Sequence, residues 1–100
     1  MPQVVSVVGT HIAPDREAEV IDGFSAAVRA GMPERRHTSL LRGDDQIWRI
    51  ITFWRSRSDL DRYLASTQPP FARQLLESAG GRPTVEVLEV VLDNNAAIWT

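Results

Sequence analysis

Apolar residues recur with two different periods along this chain, and the order of those periods restricts the fold more than any other feature. Strand-like segments, which are rich in β-branched and aromatic residues, occur at 3–12, 35–42, 47–54 and 83–93. Helix-like segments, with apolar residues three or four positions apart, occur at 15–31 and 56–79. The order β-α-β-β-α-β predicts a ferredoxin-like α+β sandwich, in which both helical segments cover one face of an antiparallel sheet.

Turn-forming and capping residues set the boundaries of these segments. The link "GDDQ" between the two middle strands is short and contains Gly and Asp, which predicts a hairpin. Ser58 with Asp61 three residues later is a variant of the capping box, and it predicts a helix start. Pro69 and Pro70 suit a first helical turn, so we expect a second helical piece to begin there.

The composition limits the chain to one domain and excludes several classes of function. Its 100 residues fit a single domain spanning 1–100. Without Cys there is no disulfide framework, thiolate metal site or cysteine nucleophile. The net charge of −2 comes without a basic block, and no segment reaches the ~18 apolar residues of a membrane span. We expect a soluble, cytoplasmic protein without nucleic-acid or membrane partners.

The strand segments carry apolar residues on both faces, which indicates a partner. Val4 is followed by Val5 and Val7 by Val8, and the last strand repeats this pattern. Helices on one side cover only one face of a sheet, so the other face would expose a large apolar patch. The sequence therefore predicts a homodimer that forms through the helix-free sheet face.

One face of the third strand is the strongest candidate for a binding surface. Side chains alternate along a strand, so Trp48, Ile50, Thr52 and Trp54 share a face. Two indoles and a hydroxyl around an apolar floor suit a flat aromatic ligand, whose oxygen an indole N–H could orient. The alternative is that both tryptophans are core residues, and this alternative is favoured for Trp48.

Other aromatic residues face the same predicted space from the helical segments. Tyr63 could donate a hydrogen bond to a ligand or lie in the core with its hydroxyl at the rim. Phe24 and Phe71 either line a pocket or fill it. Gly23 leaves two roles open, close packing on the sheet or room for a ligand.

The two histidines are candidates for proton transfer rather than for metal binding. His11 ends the first strand, where a neutral imidazole could take a proton from a phenol or an anthrone. A solvated strand end is the alternative. His11 and His37 have no clustered third ligand in the sequence, so no metal site is expected.

Three stretches of the chain resemble a known family. The strand ending "ITFW", the following "RSRSDLDRYLAS" and the closing "VEVLEVV", in this element order, are similar to the antibiotic biosynthesis monooxygenase domain of the dimeric α/β-barrel superfamily. The resemblance covers nearly the whole chain. It implies two protomers that close a barrel, with a ligand pocket between the sheet and the helices of each. Some such relatives are cofactor-independent oxygenases of quinols or anthrones, others degrade haem, and others are polyketide cyclases.

The residues distinguish between these branches. The haem-degrading branch has an Asn in its first strand, whereas residues 3–12 have none; Tyr63 replaces its Trp, and 64–79 contain no His. The anthrone-oxidising branch has a Trp at the position of Trp54, but its Asn four residues earlier is replaced by Ile50. Its Arg in the second helical piece can correspond to Arg73.

Two hypotheses of function follow from the residues and the resemblance. In the first, a cofactor-independent monooxygenase holds a flat quinol or anthrone against Trp54, and His11 promotes its deprotonation. Substrate would contact Trp48, Ile50, Thr52, Tyr63, Phe24, Phe71 and Arg73. In the second, the protein is a non-redox binder or polyketide cyclase, or a dimer without catalysis. Trp99 and the C-terminal tail have no assigned role.

Overall fold

The computed structural model describes residues 3–31, 37–66 and 70–92. Its elements, in chain order, are β1 (Val4–His11), α1 (Glu17–Ala30), β2 (His37–Arg42), β3 (Ile47–Trp54), α2 (Arg57–Ser66), α3 (Phe71–Ser78) and β4 (Thr84–Glu89). A single 3₁₀ turn at Pro14–Arg16 precedes α1. The order confirms the predicted ferredoxin-like arrangement, with the second helical segment divided into α2 and α3.

Several boundaries differ from the predicted ones for local reasons. Helix α2 begins at Arg57 because Ser56, rather than Ser58, is its cap: Ser56 Oγ accepts the N–H of Asp59 at 3.2 Å. Pro70 is the N-cap of α3, as expected of a proline before a helix, whereas the expectations for Pro69, Trp99 and the tail lie outside the described residues. Strand β4 ends at Glu89, four residues before the predicted end.

The sheet is antiparallel throughout and has the strand order β2-β3-β1-β4. The two central strands pair along their whole length, from Val4 opposite Trp54 to His11 opposite Ile47. The link between β2 and β3 is the predicted hairpin, in which Ile47 donates its N–H to Asp45 Oδ1 at 3.0 Å. This register fixes which residues of β1 and β3 share each face.

The helices cover one face of the sheet and build two separate clusters on it. The larger one joins α1 and α3 to the sheet and contains Val8, Ile12, Val20, Trp48, Ile50, Leu76 and Ala79. The smaller one joins α2 to the other end of the sheet and contains Val4, Trp54 and Leu60. The helical layer therefore packs the sheet closely at one end and less completely at the other.

Gly23 has a packing role, although its partner is a helix rather than the sheet. A Cβ at this position would collide with Cδ1 of Leu75 on α3. The missing side chain lets α3 approach α1 closely, and this contact belongs to the larger cluster. Room for a ligand at Gly23 is excluded because Leu75 occupies it.

The opposite, helix-free face is rich in apolar side chains, as predicted. It carries the half-buried residues Val5, Val7, Ile51 and Phe53 along its two central strands. Leu41 and Leu88 on the outer strands are 45% and 50% exposed. A single chain thus leaves both outer flanks of this face in contact with water.

Candidate functional site

A cavity of about 580 Å³ lies between the sheet and the less completely packed helices. It is lined by Ser6, Val8, Ala27, Ala30, Gly31, Thr38, Ile50, Thr52, Trp54, Leu60, Tyr63, Leu64, Pro70, Phe71, Ala72, Arg73, Val85 and Val87. This volume is in the range of small-molecule sites, and the lining is mostly apolar with a few polar groups, as such sites usually are. All four strands and all three helical elements contribute to it.

Trp54 lines the cavity with its ring and is held firmly in place. It ends β3, is 5% exposed and packs against Val4 and Leu60. Its indole Nε1 donates a hydrogen bond of 2.9 Å to Ser6 Oγ. The sequence suggested that this N–H could orient a ligand oxygen, but the N–H is already committed to Ser6. Trp54 therefore offers a ligand its aromatic surface.

Ser6 is a site residue that the sequence alone does not single out. It lies on β1 between Val4 and Val8, on the helix-covered face, and is 8% exposed. A polar residue at a buried position of a strand is a signal of a local hydrogen bond. In the run "VVSVV" both neighbours on each side are apolar, so the sequence did not reveal which face is buried.

Thr52 was expected at the site, and it forms a hydrogen bond with a second threonine that was not predicted to lie there. Thr38 on β2 lies directly opposite it, and the two Oγ1 atoms are 3.0 Å apart. Either hydroxyl can donate to the other. The pair places a polar spot on the otherwise apolar sheet floor, where Ile50 beside it is only 1% exposed.

Tyr63 connects the aromatic wall of the cavity to the start of α3. Its ring centroid is 5.1 Å from that of Trp54, with the ring planes tilted by 45°. Its hydroxyl oxygen accepts the backbone N–H of Phe71 at 3.1 Å. This bond satisfies one of the free amides at a helix N-terminus and holds α3 against α2. The phenol is therefore fixed at both its ring and its oxygen.

Phe71, Phe24 and Arg73 lie on the helical side of the site. Phe71 lines the cavity, and its ring centroid is 6.4 Å from that of Phe24. Phe24 packs on the larger core cluster and does not reach the cavity lining. Arg73 lines the cavity with an exposed side chain and forms an ion pair of 3.5 Å with Glu77.

Two predicted site residues are placed elsewhere. His11 lies on the helix-free face at the far end of β1, seven residues from Val4, the residue opposite Trp54. At ~3.3 Å per strand residue this is about 23 Å. Trp48 is 3% exposed in the larger core cluster, with the Arg42 guanidinium 5.6 Å from its ring centroid. Neither residue lines the cavity, so both are removed from the candidate site.

The cavity has little charge of its own. Among its described lining residues Arg73 is the charged one, and there is no His, Asp, Glu or Lys. Within 3–31, 37–66 and 70–92, no three His, Asp or Glu side chains lie close enough together to hold a metal ion. In the same residues no helix has the length and apolarity needed to cross a membrane.

The model of one protein family matches most of the chain. Residues 4–70 match the antibiotic biosynthesis monooxygenase family. The chain belongs to this family. The match includes β1, the hairpin, Trp54 and α2, and thus the whole Trp54–Ser6–Tyr63 part of the site. The resemblance in "ITFW" and "RSRSDLDRYLAS" is confirmed.

Solved structures of several distant proteins share the fold. SnoaB of Streptomyces nogalater, a cofactor-independent oxygenase, is 21% identical with a TM-score of 0.67, covering 94% of this chain and 98% of its own. A protein of unknown function from Nitrosomonas europaea is 16% identical with a TM-score of 0.69, covering 95% of both chains. A conserved Methanosarcina mazei protein is 13% identical with a TM-score of 0.68, covering 87% and 91%. No curated protein matches the chain significantly.

Proposed function

We propose that this protein is a cofactor-independent monooxygenase that acts on a flat polycyclic aromatic substrate of the anthrone or quinol type. The observation that carries the proposal is the aromatic wall of Trp54 and Tyr63 beside a large apolar cavity. Flat aromatic ligands gain both apolar burial and offset ring contacts from such a wall. The family, and the activity of SnoaB as a cofactor-independent oxygenase, support the same reaction class.

The proposed reaction needs only the substrate and molecular oxygen. In an anthrone, loss of a proton from the CH₂ group gives a carbanion delocalised into the ring oxygen; in a quinol, loss of the hydroxyl proton gives an anion whose charge is likewise shared between oxygen and a ring carbon. The carbanion transfers electrons to O₂ and forms a C–O bond. The resulting hydroperoxide loses water and leaves a carbonyl, so that CH₂ and O₂ become C=O and H₂O. One oxygen atom enters the product and the other enters water.

The residues of the cavity serve this reaction by binding and by excluding water. Trp54 and Tyr63 hold the aromatic rings, and Ile50 and Phe71 give the pocket an apolar floor and wall. An apolar enclosure protects the carbanion from solvent protons. His11 has no part in this scheme, because it lies at the other end of β1 on the other face.

A second candidate is a non-redox binder or a polyketide cyclase with the same pocket. Two observations favour it. The anthrone-oxidising branch has an Asn four residues before its Trp, whereas this chain has Ile50 there, which is 1% exposed on the cavity floor. The described lining also has no group that takes up a proton near neutral pH. Binding without oxygen chemistry would require neither the Asn nor a proton acceptor.

Oxygen uptake separates the two candidates. Purified, metal-free protein would be mixed with a panel of anthrones and dihydroxynaphthalenes, and products would be read by mass spectrometry. We expect protein-dependent uptake, one added oxygen atom and a loss of activity in Trp54→Phe but not in the matched control Trp48→Phe. Saturable quenching of tryptophan fluorescence without any oxygen uptake would establish the binder or cyclase and end the oxygenase proposal.

We also propose that two copies pair through the helix-free face and close the barrel. Dimers are general in this family. Arg49 and Glu86 lie on this face on opposite sides of β1, and neither has an ion-pair partner among the described residues. A two-fold axis along β1 would bring each Arg49 close to the partner's Glu86, which gives isologous charge complementarity around the apolar centre.

Light scattering coupled to size exclusion tests the dimer. We expect twice the chain mass at micromolar concentration, and a weaker dimer in Val7→Lys, which puts a like charge at the centre of the face in both copies. Ile21→Lys changes an exposed apolar residue on α1 and is the matched control. A monomer in the unmodified protein would contradict the proposal. The absence of Cys suits a reducing compartment, and we propose the cytoplasm.

A further inference from the structure

The hydroxyl groups of the cavity have hydrogen bonds that leave their hydrogens unused. Ser6 Oγ accepts the indole N–H of Trp54 at 2.9 Å, and Tyr63 Oη accepts the backbone N–H of Phe71 at 3.1 Å. Each hydroxyl has one hydrogen and two lone pairs. Among the described residues neither hydrogen has an acceptor. Both groups are therefore partly filled as acceptors and open as donors.

The threonine pair has the same excess of hydrogens. Thr38 and Thr52 share one hydrogen bond of 3.0 Å, which uses one of their two hydroxyl hydrogens whichever residue donates. The second hydrogen remains for a ligand. The unused donors therefore lie on the sheet floor, on β1 and the β2–β3 pair, and on α2, so they face the cavity from both the sheet and the helical layer.

The described residues that line the cavity include no negatively charged side chain that would oppose these donors. Among the described lining residues, the four strands and α1 contribute no charged or titratable side chain, α2 contributes Tyr63, and α3 contributes Arg73. Arg73 pairs with Glu77 at 3.5 Å, but the two side chains are 54% and 48% exposed, respectively. The described part of the lining thus carries one positive charge, on Arg73, and no general base.

We infer that the cavity holds its ligand as an oxygen anion, a phenolate or enolate, and that the hydroxyls of Tyr63 and Ser6 select this form by donating to ligand oxygen. Hydrogen bonds to an ionised acceptor are roughly twice as strong as bonds between neutral groups. A neutral phenol could still donate its hydrogen to the lone pair that each hydroxyl has left, but it would gain only hydrogen bonds between neutral groups. The inference rests on the proposed ligand-binding role of this cavity and names the ionisation state of what it binds.

Preferential binding of the anion would start the proposed reaction without a base among the described lining residues. The ligand loses its proton to water, and binding shifts the acid–base equilibrium of the ligand by its preference for the anion. Tyr63 is then a specificity-determining residue. Its oxygen is held by the first amide of α3, so its hydrogen can turn toward the cavity without reorganisation of the ring.

A coloured phenol that cannot be oxygenated tests the inference without oxygen chemistry. The probe is 2-hydroxyanthraquinone, whose absorption moves to longer wavelength on ionisation, and its methyl ether is the analogue that cannot ionise. We expect the bound phenol to ionise at least about one pH unit below the free phenol, which is a tenfold preference for the anion. Tyr63→Phe and Ser6→Ala should each reduce this preference severalfold when the affinity for the phenol is compared with the affinity for the methyl ether in the same variant.

The controls and outcomes separate this inference from the oxygenase proposal. Ser39→Ala removes a hydroxyl from the other face of the sheet and should keep the full preference. The inference would be overturned if the bound phenol ionised at the same pH as the free phenol or at a higher one. Failure of both probes to bind would also overturn it, as would a preference for the anion in Tyr63→Phe and Ser6→Ala equal to that of the unmodified protein. A preference for the anion without oxygen uptake from anthrones would leave the inference standing and remove the oxygenase.

Discussion

The two tryptophans of β3 occupy the same face of the same strand and have opposite surroundings. Trp54 borders a cavity of about 580 Å³, and its indole N–H is bonded to Ser6. Trp48 is enclosed by the larger core cluster, and its Nε1 is buried without a hydrogen-bond partner among the described residues. The difference comes from the helices above them, because α1 and α3 close over Trp48 whereas the α2–α3 side leaves space beside Trp54.

This contrast indicates that the packed end of the fold contributes mainly stability and the open end contributes the cavity. The end around Trp48 contains most of the fully buried side chains, among them Ile12, Val20 and Leu76. The end around Trp54 has a smaller cluster and the polar groups that a ligand would contact. We expect substitutions at the first end to act on stability and those at the second to act mainly on binding.

Removing each indole in turn is the strongest test of this division. We expect Trp48→Ala to lower the free energy of unfolding by about 3–5 kcal/mol, since a large cavity would open in a closed core. Trp54→Ala should cost less, because one side of its ring already borders empty volume and makes fewer contacts. Urea denaturation followed by circular dichroism measures both values. An equal or larger loss in Trp54→Ala would contradict the contrast between the two ends.

Replacing Ser6 tests the same contrast with a smaller expected effect, because it removes the hydrogen-bond acceptor that distinguishes the indole of Trp54 from that of Trp48. In Ser6→Ala the buried Nε1 of Trp54 would lose its acceptor, as Nε1 of Trp48 already lacks one. Leaving a buried donor unsatisfied costs about 1–3 kcal/mol. Urea unfolding should show this loss with an unchanged slope, while Ser39→Ala should stay within about 0.5 kcal/mol of the unmodified protein. Equal stability of both variants would show that the Trp54–Ser6 bond contributes little.

The sequence was sufficient for the architecture because the relevant signals are local. Strand and helix periods gave the β-α-β-β-α-β order, and alternation along β3 correctly put Trp48, Ile50, Thr52 and Trp54 on one face. Alternation cannot say what covers that face. The separate roles of Trp48 and Trp54 depend on where α1, α2 and α3 lie, which is set by tertiary packing.

Which face of β1 the helices cover was harder to predict, for a related physical reason. Alternation puts Ser6 and His11 on opposite faces of β1, but both faces of "VVSVVGTH" are apolar, so the sequence does not say which face the helices cover. Only the pairing with β3 shows that Ser6 faces the helices and His11 the helix-free side. The apolar second face that predicted a dimer is thus the same feature that concealed Ser6 and left His11, which lies on the helix-free face, as a site candidate.

The smallest predicted effect concerns the packed end, where one arginine joins two helices. Arg16 donates hydrogen bonds to Glu19 near the start of α1 and to the backbone oxygen of Ser78 at the end of α3. The hydrogen bond from Arg16 lowers the pKa of Glu19 below its ordinary value. A carboxylate with a lowered folded-state pKa contributes stability above its unfolded pKa, about 4.3, and loses it as pH falls through the folded value.

Glu19→Gln should therefore lose less stability than the unmodified protein when the pH is lowered from neutral to below 4. The comparison is made by urea midpoints at both pH values. Asp22→Asn removes the same charge from the same helix and should follow the unmodified protein, since Asp22 has no ion pair among the described residues. The effect should be small and should shrink with added salt, because the pair is exposed to solvent. A full acid-induced loss in Glu19→Gln would mean that the packed end is held by its apolar cluster alone.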